Sequence, residues 1–147
     1  MREILFRGKR IDNGEWIYGS LDNSLAPDGT TISFCDEEGF YVEEKVIPKT
    51  VGQYTGIKDR NGEMIFEGDI IHARYMEHYY PNHWAKGYVI FENGTFKIKV
   101  TESNNDVEYK MYCDENVLAF SIENNFLNRH YKLEVIGNIY DAKEANR

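Results

Sequence analysis

The sequence predicts a mainly β protein, made of curved antiparallel sheets with one or two short helices. Three observations favour this class. Aromatic residues make up 14% of the 147 residues, and eleven Tyr, eight Phe and two Trp suit strands better than helices. Apolar and polar residues alternate with the period of two that is typical of half-buried strands. Turns that contain glycine separate these stretches, the clearest being Asn93-Gly94.

The most informative stretch is residues 51–71, VGQYTGIKDRNGEMIFEGDII. Asp59 at the first position and Gly62 at the fourth favour a type I turn followed by a glycine bulge, and the Asp59 carboxylate can close that turn. Gly68 bends the chain again before a strand that runs from Ile70 through Tyr75. The stretch is therefore predicted to form a hairpin, a kink and a strand of a small, strongly curved sheet.

The start of the chain is predicted to be a hairpin. Ile4 and Phe6 alternate with charged residues, residues 12–14 are a turn, and Trp16 and Tyr18 alternate in a second strand. Residues 22–30 are a loop by composition. Two further short strands are expected over 31–35 and 40–42, on either side of an acidic turn, and Pro48 marks an edge strand or connector.

The Asn93-Gly94 pair predicts a two-residue type I′ hairpin. The register that follows places four apolar residues on one face of the hairpin: Val89, Phe91, Phe96 and Ile98. Lys97 and Lys99 fall on the other face. Further along, residues 121–129 favour a short helix, and residues 133–139 favour a closing strand that Gly137 interrupts.

Three blocks of the chain resemble the YopX-like proteins of bacteriophages and prophages: REILFRGK at residues 2–9, QYTGIKDRNGEMIFEGDII at 53–71 and EVIGNIYD at 134–141. The resemblance implies a mostly β fold with an SH3-like barrel, a phage genome and self-association, and it implies no known reaction. The residues that we single out as the structural motif are Gly52, Tyr54, Thr55, Gly56, Asp59, Gly62, Glu67, Gly68 and Asp69.

The length favours a single YopX-like domain over residues 1–147, since one domain has roughly 100–200 residues. Within it, a small N-terminal lobe over 1–50 and an SH3-like barrel lobe over 51–141 are the expected subdivision.

Composition argues against several partners. The net charge of −8 gives non-specific nucleic-acid binding no bulk electrostatic drive, so nucleic acid is an unlikely partner. A local basic face could still form, with Arg7, Lys9 and Arg10 or Lys97 and Lys99 as its candidates. No apolar run approaches the ~20 residues that cross a bilayer, and the N-terminus does not resemble a secretory signal. The resemblance then predicts the cytoplasm of a host bacterium.

The aromatic loop over residues 76–86 is the most suggestive cluster, and it contains His78, Tyr79, Tyr80, His83 and Trp84. It could contribute to a zinc site, although two histidines supply too few ligands. It could stack on bases or sugars. We favour a third interpretation, in which the aromatic residues pack locally or against another subunit, because such residues are enriched at interfaces.

Glu67 and Asp69 are the strongest candidates for chemistry. Two residues apart on an extended strand, they would share one face and could bind a metal or transfer protons. A bend at Gly68, with Asp69 accepting backbone hydrogen bonds, explains the same residues without chemistry. The two cysteines, Cys35 and Cys113, are expected to be small buried hydrophobic residues. No common mechanistic signature occurs, so we predict no catalytic residue, no metal and no cofactor.

The sequence thus favours a phage-encoded, self-associating binding protein of uncharacterised activity, without catalysis of its own. Its expected partners are a second copy of itself and a phage or host protein, with no membrane involved. Two alternatives stay open: a nucleic-acid-binding module of a phage, and a metal-dependent hydrolase that uses Glu67 and Asp69.

Overall fold

A computed structural model describes residues 3–26, 28–75, 84–104, 117–119 and 131–141. Within these ranges the chain forms eleven β-strands and a 3₁₀ turn, which confirms the mainly β class. The strands of the first sheet are β1 (Phe6–Lys9), β2 (Trp16–Asp22), β3 (Thr31–Cys35), β4 (Tyr41–Lys45), β5 (Gly52–Lys58) and β6 (Met64–Phe66). The strands of the second sheet are β7 (Asp69–Tyr75), β8 (Trp84–Glu92), β9 (Thr95–Ser103), β10 (Val117–Ala119) and β11 (Tyr131–Asn138).

Both sheets are antiparallel. The first has the order β4-β3-β2-β1-β5-β6 and the second the order β10-β9-β8-β7-β11. Each described sheet ends in two edge strands, so an SH3-like barrel is not confirmed. The chain divides into two compact units, Met1–Gly56 and Ile57–Arg147, and the division falls within β5. The single domain and its predicted lobe boundaries stay predictions.

The core of the first unit is small. Ile17, Ile32 and Val46 are buried, while Phe6 and Leu21 are partly buried against them. The predicted opening hairpin is present, since β1 pairs with β2. The prediction that Ile4 belongs to its first strand is wrong, because β1 begins at Phe6 and Ile4 is exposed.

Arg7 and Lys9 are buried in the first unit, with 6% and 4% of their surface exposed. Both lie over the ring of Trp16, the Arg7 guanidinium carbon 4.6 Å and the Lys9 Nζ 5.6 Å from its centroid. Arg10 pairs with Asp12 through Nε and an Nη nitrogen, at 3.0 and 2.7 Å. This hydrogen bond raises the pKa of Arg10 and lowers the pKa of Asp12. These three cations therefore do not form a free basic face.

The expectation that Cys35 is buried is wrong, because this residue is exposed at the end of β3. Ile32 belongs to the core and Phe34 packs against it, and residues that alternate with them along a strand are directed to the opposite face. Cys113 lies outside the described residues.

The chain between β4 and β5 is a connector. Pro48 begins the 3₁₀ turn Pro48–Thr50. The buried Thr50 hydroxyl accepts a hydrogen bond from the Lys9 backbone N–H at 2.9 Å and donates one to the Ile47 carbonyl at 2.6 Å. The turn is thereby fixed to β1.

The second unit has the larger core. Among the described residues, its core cluster consists of Ile57, Ile65, Ile71, Ala73, Ala85, Val89, Phe96, Ile98, Tyr131 and Leu133. The hairpin of β8 and β9 has the predicted register, which pairs Phe91 with Phe96 and Val89 with Ile98. Asn93 and Gly94 have φ values of 52° and 79°, as a type I′ turn requires.

The closing strand β11 pairs with β7 and has a bulge between Val135 and Gly137. This irregularity confirms the break expected at Gly137. The prediction that Ile139 belongs to the strand is wrong, because β11 ends at Asn138 and residues 139–141 form a helical turn. Asn138 caps that turn: its Oδ1 accepts from the N–H groups of Tyr140 at 3.0 Å and Asp141 at 2.8 Å. The helix predicted over 121–129 lies outside the described residues.

Candidate binding surfaces

Asp59 closes the turn between β5 and β6. Its N–H donates to the Glu63 carbonyl at 2.7 Å, and its carbonyl accepts from Gly62 at 3.1 Å. Its Oδ1 also accepts from the backbone N–H groups of Asn61 at 2.8 Å and Glu63 at 2.9 Å. Gly62 has a φ of 83°, the left-handed conformation that glycine adopts readily. The predicted role of Asp59 in this turn is confirmed.

The same turn also contacts β11, an edge strand of the second sheet. The other carboxylate oxygen of Asp59 accepts from the Val135 N–H at 3.0 Å, and the Arg60 N–H donates to the Leu133 carbonyl at 2.9 Å. Backbone groups on an edge strand otherwise offer a template for pairing with another chain. Asp59 and Arg60 therefore cover part of this edge.

Asp69 lies in the bend between β6 and β7 and is 2% exposed. Its Oδ2 accepts from the Phe66 N–H at 2.8 Å, which is the structural role that the sequence favoured. Gly68, with a φ of 88°, donates to the Val89 carbonyl and accepts from the Ile139 N–H, both at 2.9 Å. Glu67 is half-buried. Across the described residues, no three or more His, Cys, Asp and Glu side chains gather as metal ligands.

The remaining residues of the structural motif lie in β5. Gly52, Tyr54 and Thr55 are buried, and Gly56 is exposed with a φ of 87°. The Tyr54 N–H donates to the Leu5 carbonyl at 2.8 Å. Burial raises the pKa of the Tyr54 phenol, and the negative charge of Glu3 adds to this effect. The motif residues thus serve strand pairing and bends in both units.

Of the aromatic loop, His78, Tyr79, Tyr80 and His83 lie outside the described residues. Trp84 is the first residue of β8, and its ring stacks on His72 of β7 with the centroids 5.5 Å apart and the planes at 22°. Its backbone N–H donates to Asn104 Oδ1 at 2.9 Å. Trp84 therefore belongs to the sheet.

The stacked pair lies on the face of the second sheet opposite the core, which we call the polar face. Residues paired across antiparallel strands share a face, so the strand register defines its composition. Each row is read across β11, β7, β8 and β9. The first row contains Lys132, Arg74 and Trp84, and the second contains Glu134, His72, Lys86 and Glu102. The following rows contain Ile70, Tyr88 and Lys99, then Ile90 and Lys97, and then Glu92 and Thr95.

The polar face is more basic than the chain as a whole. It has five cationic residues, Arg74, Lys86, Lys97, Lys99 and Lys132, and three carboxylates, Glu92, Glu102 and Glu134. The chain has a net charge of −8. The sequence predicted that Lys97 and Lys99 lie on one face of their hairpin. It did not predict that residues of β7 and β11 share that face.

A second surface lies in the first unit, at the edge strand β4. Tyr41 is its first residue and Phe40 directly precedes it. These two residues are 69% and 65% exposed, and we call this pair the aromatic edge. The preceding acidic turn fixes their position: Asp36 Oδ1 accepts from the N–H groups of Glu38 at 3.0 Å and Phe40 at 2.9 Å. At the opposite end of β4, the Lys45 carbonyl accepts from the Ile11 N–H at 3.1 Å. The part of the edge beside Tyr41 is therefore the candidate for pairing.

These features define a mainly β protein with two antiparallel sheets, and no helix in its described part is long and apolar enough to cross a membrane. A profile of the family described as YopX protein matches residues 5–144. The chain belongs to the YopX protein family. No curated protein matches the chain significantly.

Proposed function

We propose that the chain is a phage-encoded binding protein that self-associates in the cytoplasm of a host bacterium and has no catalysis of its own. Membership of the YopX family supports the phage origin through the resemblance to phage and prophage proteins. The aromatic edge is the observation that carries the self-association.

The aromatic edge combines two properties of a protein interface. Phe40 and Tyr41 expose large adjacent side chains, and aromatic side chains provide much of the binding energy in interfaces. They also lie where an edge strand starts, and the outer backbone groups of such a strand can pair with a strand of another chain. A second copy of the chain supplies the same edge, so a two-fold symmetric contact needs no other component.

The small core of the first unit supports the same proposal. Three buried apolar residues, Ile17, Ile32 and Val46, form its centre, whereas Phe34 and Val51 are partly exposed around them. Small units bury a lower fraction of their surface and are correspondingly marginal, so oligomerisation often stabilises them. Association of two copies through this unit would bury further apolar surface.

Light scattering coupled to size-exclusion chromatography tests this proposal. We expect the wild-type chain to be oligomeric at tens of micromolar. The double substitution Phe40→Ser and Tyr41→Ser should weaken association about 100-fold or more, since each aromatic anchor contributes roughly 1–4 kcal/mol to an interface. A monomeric wild-type chain would overturn the proposal.

Two further variants identify the surface. Tyr18→Ser removes an exposed aromatic residue from β2, which is not an edge strand of its sheet. This substitution should leave the oligomer mass measured by light scattering unchanged. Tyr79→Ser with Tyr80→Ser tests the loop that the sequence favoured as an interface. If the loop variant dissociates while the Phe40/Tyr41 variant does not, the interface is the loop and not the aromatic edge.

A further inference from the structure

We propose that the polar face of the second sheet binds single-stranded nucleic acid. The proposal goes beyond self-association and rests on a different unit of the chain. It combines a local surplus of positive charge with an aromatic stack, the two features that sheet surfaces use to hold unpaired nucleotides.

The row of Lys132, Arg74 and Trp84 contains both features. Lys132 and Arg74 are exposed, and they lie opposite each other on β11 and β7. Arg74 in turn pairs with Trp84 of β8, whose ring stacks on His72. Cations along this row can contact phosphates, while the Trp84 and His72 rings offer a stacking surface for a base.

A second group of cations extends the surface towards β9. Lys99 pairs with Tyr88, and Lys97 pairs with Ile90 in the next row. Strands lie about 4.8 Å apart and rows about 7 Å apart, so four strands and several rows span roughly 15 by 20 Å. This area is sufficient for a few nucleotides, within the range of about 4–16 that a small β-domain binds.

The carboxylates on the polar face limit its affinity. Glu134 and Glu102 lie at the two ends of the row that contains His72 and Lys86. Glu92 Oε1 lies 3.8 Å from Lys97 Nζ, in a partly exposed ion pair that salt weakens. The net charge of the whole chain opposes binding over long distances, but screening at physiological salt confines interactions to about 8 Å. The charged residues of the polar face itself therefore govern its contact with a nucleic-acid strand.

Single-stranded nucleic acid fits this surface better than a duplex does. Bases in a duplex are already stacked on each other, whereas an unpaired base can stack on a protein ring. Oligonucleotides of deoxythymidine and of uridine, each of 15 nucleotides, provide the probes for DNA and RNA. A duplex of the same length is the comparison.

Fluorescence anisotropy with the labelled oligonucleotides tests the electrostatic contribution to the proposed binding. With three to five phosphate contacts, affinity should fall about 18- to 130-fold between 50 and 200 mM salt, from a slope of about −0.7 per contact. The double substitution Arg74→Ala and Lys99→Ala should reduce the steepness of that slope by about 1.4. Lys58→Ala, at an exposed lysine of β5 outside the polar face, is the matched control and should leave the slope unchanged.

Tryptophan fluorescence tests the stacking part. Trp16 and Trp84 are the two tryptophans of the chain, so Trp16→Phe leaves Trp84 as the single reporter. We expect saturable quenching of Trp84 on titration with the oligonucleotides. Trp84→Leu should weaken binding about fivefold to 160-fold without changing the salt slope, because stacking releases no counterions. Circular dichroism establishes that each variant keeps its fold.

Absence of binding at 50 mM salt would overturn the proposal. Equal binding of the duplex and the single strands would also overturn it, because attraction to any polyanion needs no stacking surface. Binding that the Arg74/Lys99 variant retains in full would place the site elsewhere on the chain. The Phe40/Tyr41 variant should bind the oligonucleotides like the wild type, which separates this proposal from that of self-association.

Discussion

Asp59 shows how one side chain joins parts of the chain that are 76 residues apart. One carboxylate oxygen closes the turn after β5, while the other accepts from the Val135 N–H in β11. Local spacing predicted the first role, since Asp and Gly at turn positions have known preferences. The second role depends on which strand lies at the edge of the second sheet, which local spacing does not encode.

Asp59→Ala should lower the free energy of unfolding by roughly 3–5 kcal/mol, because three backbone N–H groups lose a charged acceptor. A hydrogen bond to a charged group contributes about 1.5–3 kcal/mol, and contributions that share one carboxylate are not fully additive. Asp59→Asn should cost less, since its remaining oxygen can still serve the turn, while its NH₂ group cannot accept from Val135. Urea unfolding monitored by circular dichroism measures both variants.

Asp36→Ala is the matched control for Asp59. Asp36 also accepts two backbone hydrogen bonds through one oxygen, but its turn is exposed to water that can replace them. We expect a loss of about 1 kcal/mol. Equal losses for the Asp36 and Asp59 alanine variants would contradict a special role of the contact with β11.

The hairpin of β8 and β9 is the element that the sequence described most fully. The Asn93-Gly94 turn fixes the register, and the register sorts the alternating residues onto two faces. Burial within one face still varies: Phe96 is buried, whereas Phe91, directly opposite, is 52% exposed. Their rings meet edge-on with centroids 4.9 Å apart.

The two phenylalanines should therefore differ in their contribution to stability. Phe96→Ala should cost about 3–5 kcal/mol, as for other buried aromatic residues. Phe91→Ala should cost about 1 kcal/mol, because its side chain is half in water and loses mainly the ring contact. Urea midpoints of the two variants provide the comparison, and similar midpoints would contradict the difference in burial.

At the scale of the whole molecule, apolar burial is unequal between the two compact units. Among the residues that the structure describes, the core cluster of the first unit has three buried residues, whereas that of the second has ten. Burial of apolar surface provides most of the free energy of folding, at about 25 cal/mol per Å². We therefore expect the first unit to be the less stable of the two.

We predict that the first unit unfolds at the lower urea concentration. Trp16 reports on the first unit and Trp84 on the second, so the variants Trp84→Phe and Trp16→Phe each leave one reporter. The fluorescence of Trp16 should change before that of Trp84. Coincident transitions at low protein concentration, where association is negligible, would mean that the units unfold as one.

Sequence patterns predicted the elements that depend on neighbouring residues. These are the turns at Asp59, Gly68 and Asn93-Gly94, the strands around them and the break at Gly137. The predictions for Ile4, Cys35 and Ile139 were wrong. An apolar side chain near the end of a strand fits the alternating pattern whether or not it packs against the core. The pattern also did not predict that Arg7 and Lys9 are buried over Trp16, because it treats charged residues as exposed to solvent.

The sequence by itself determined the mainly β class, the family and the local geometry of the central motif, because turn preferences and alternation act over a few residues. The tertiary structure decided which strands are neighbours, and hence that Arg74, Lys86, Lys99 and Lys132 share one face while Phe40 and Tyr41 lie on an edge. Strand order in a sheet is set by contacts between residues far apart in the chain, so surfaces assembled from several strands emerge only when the chain is folded.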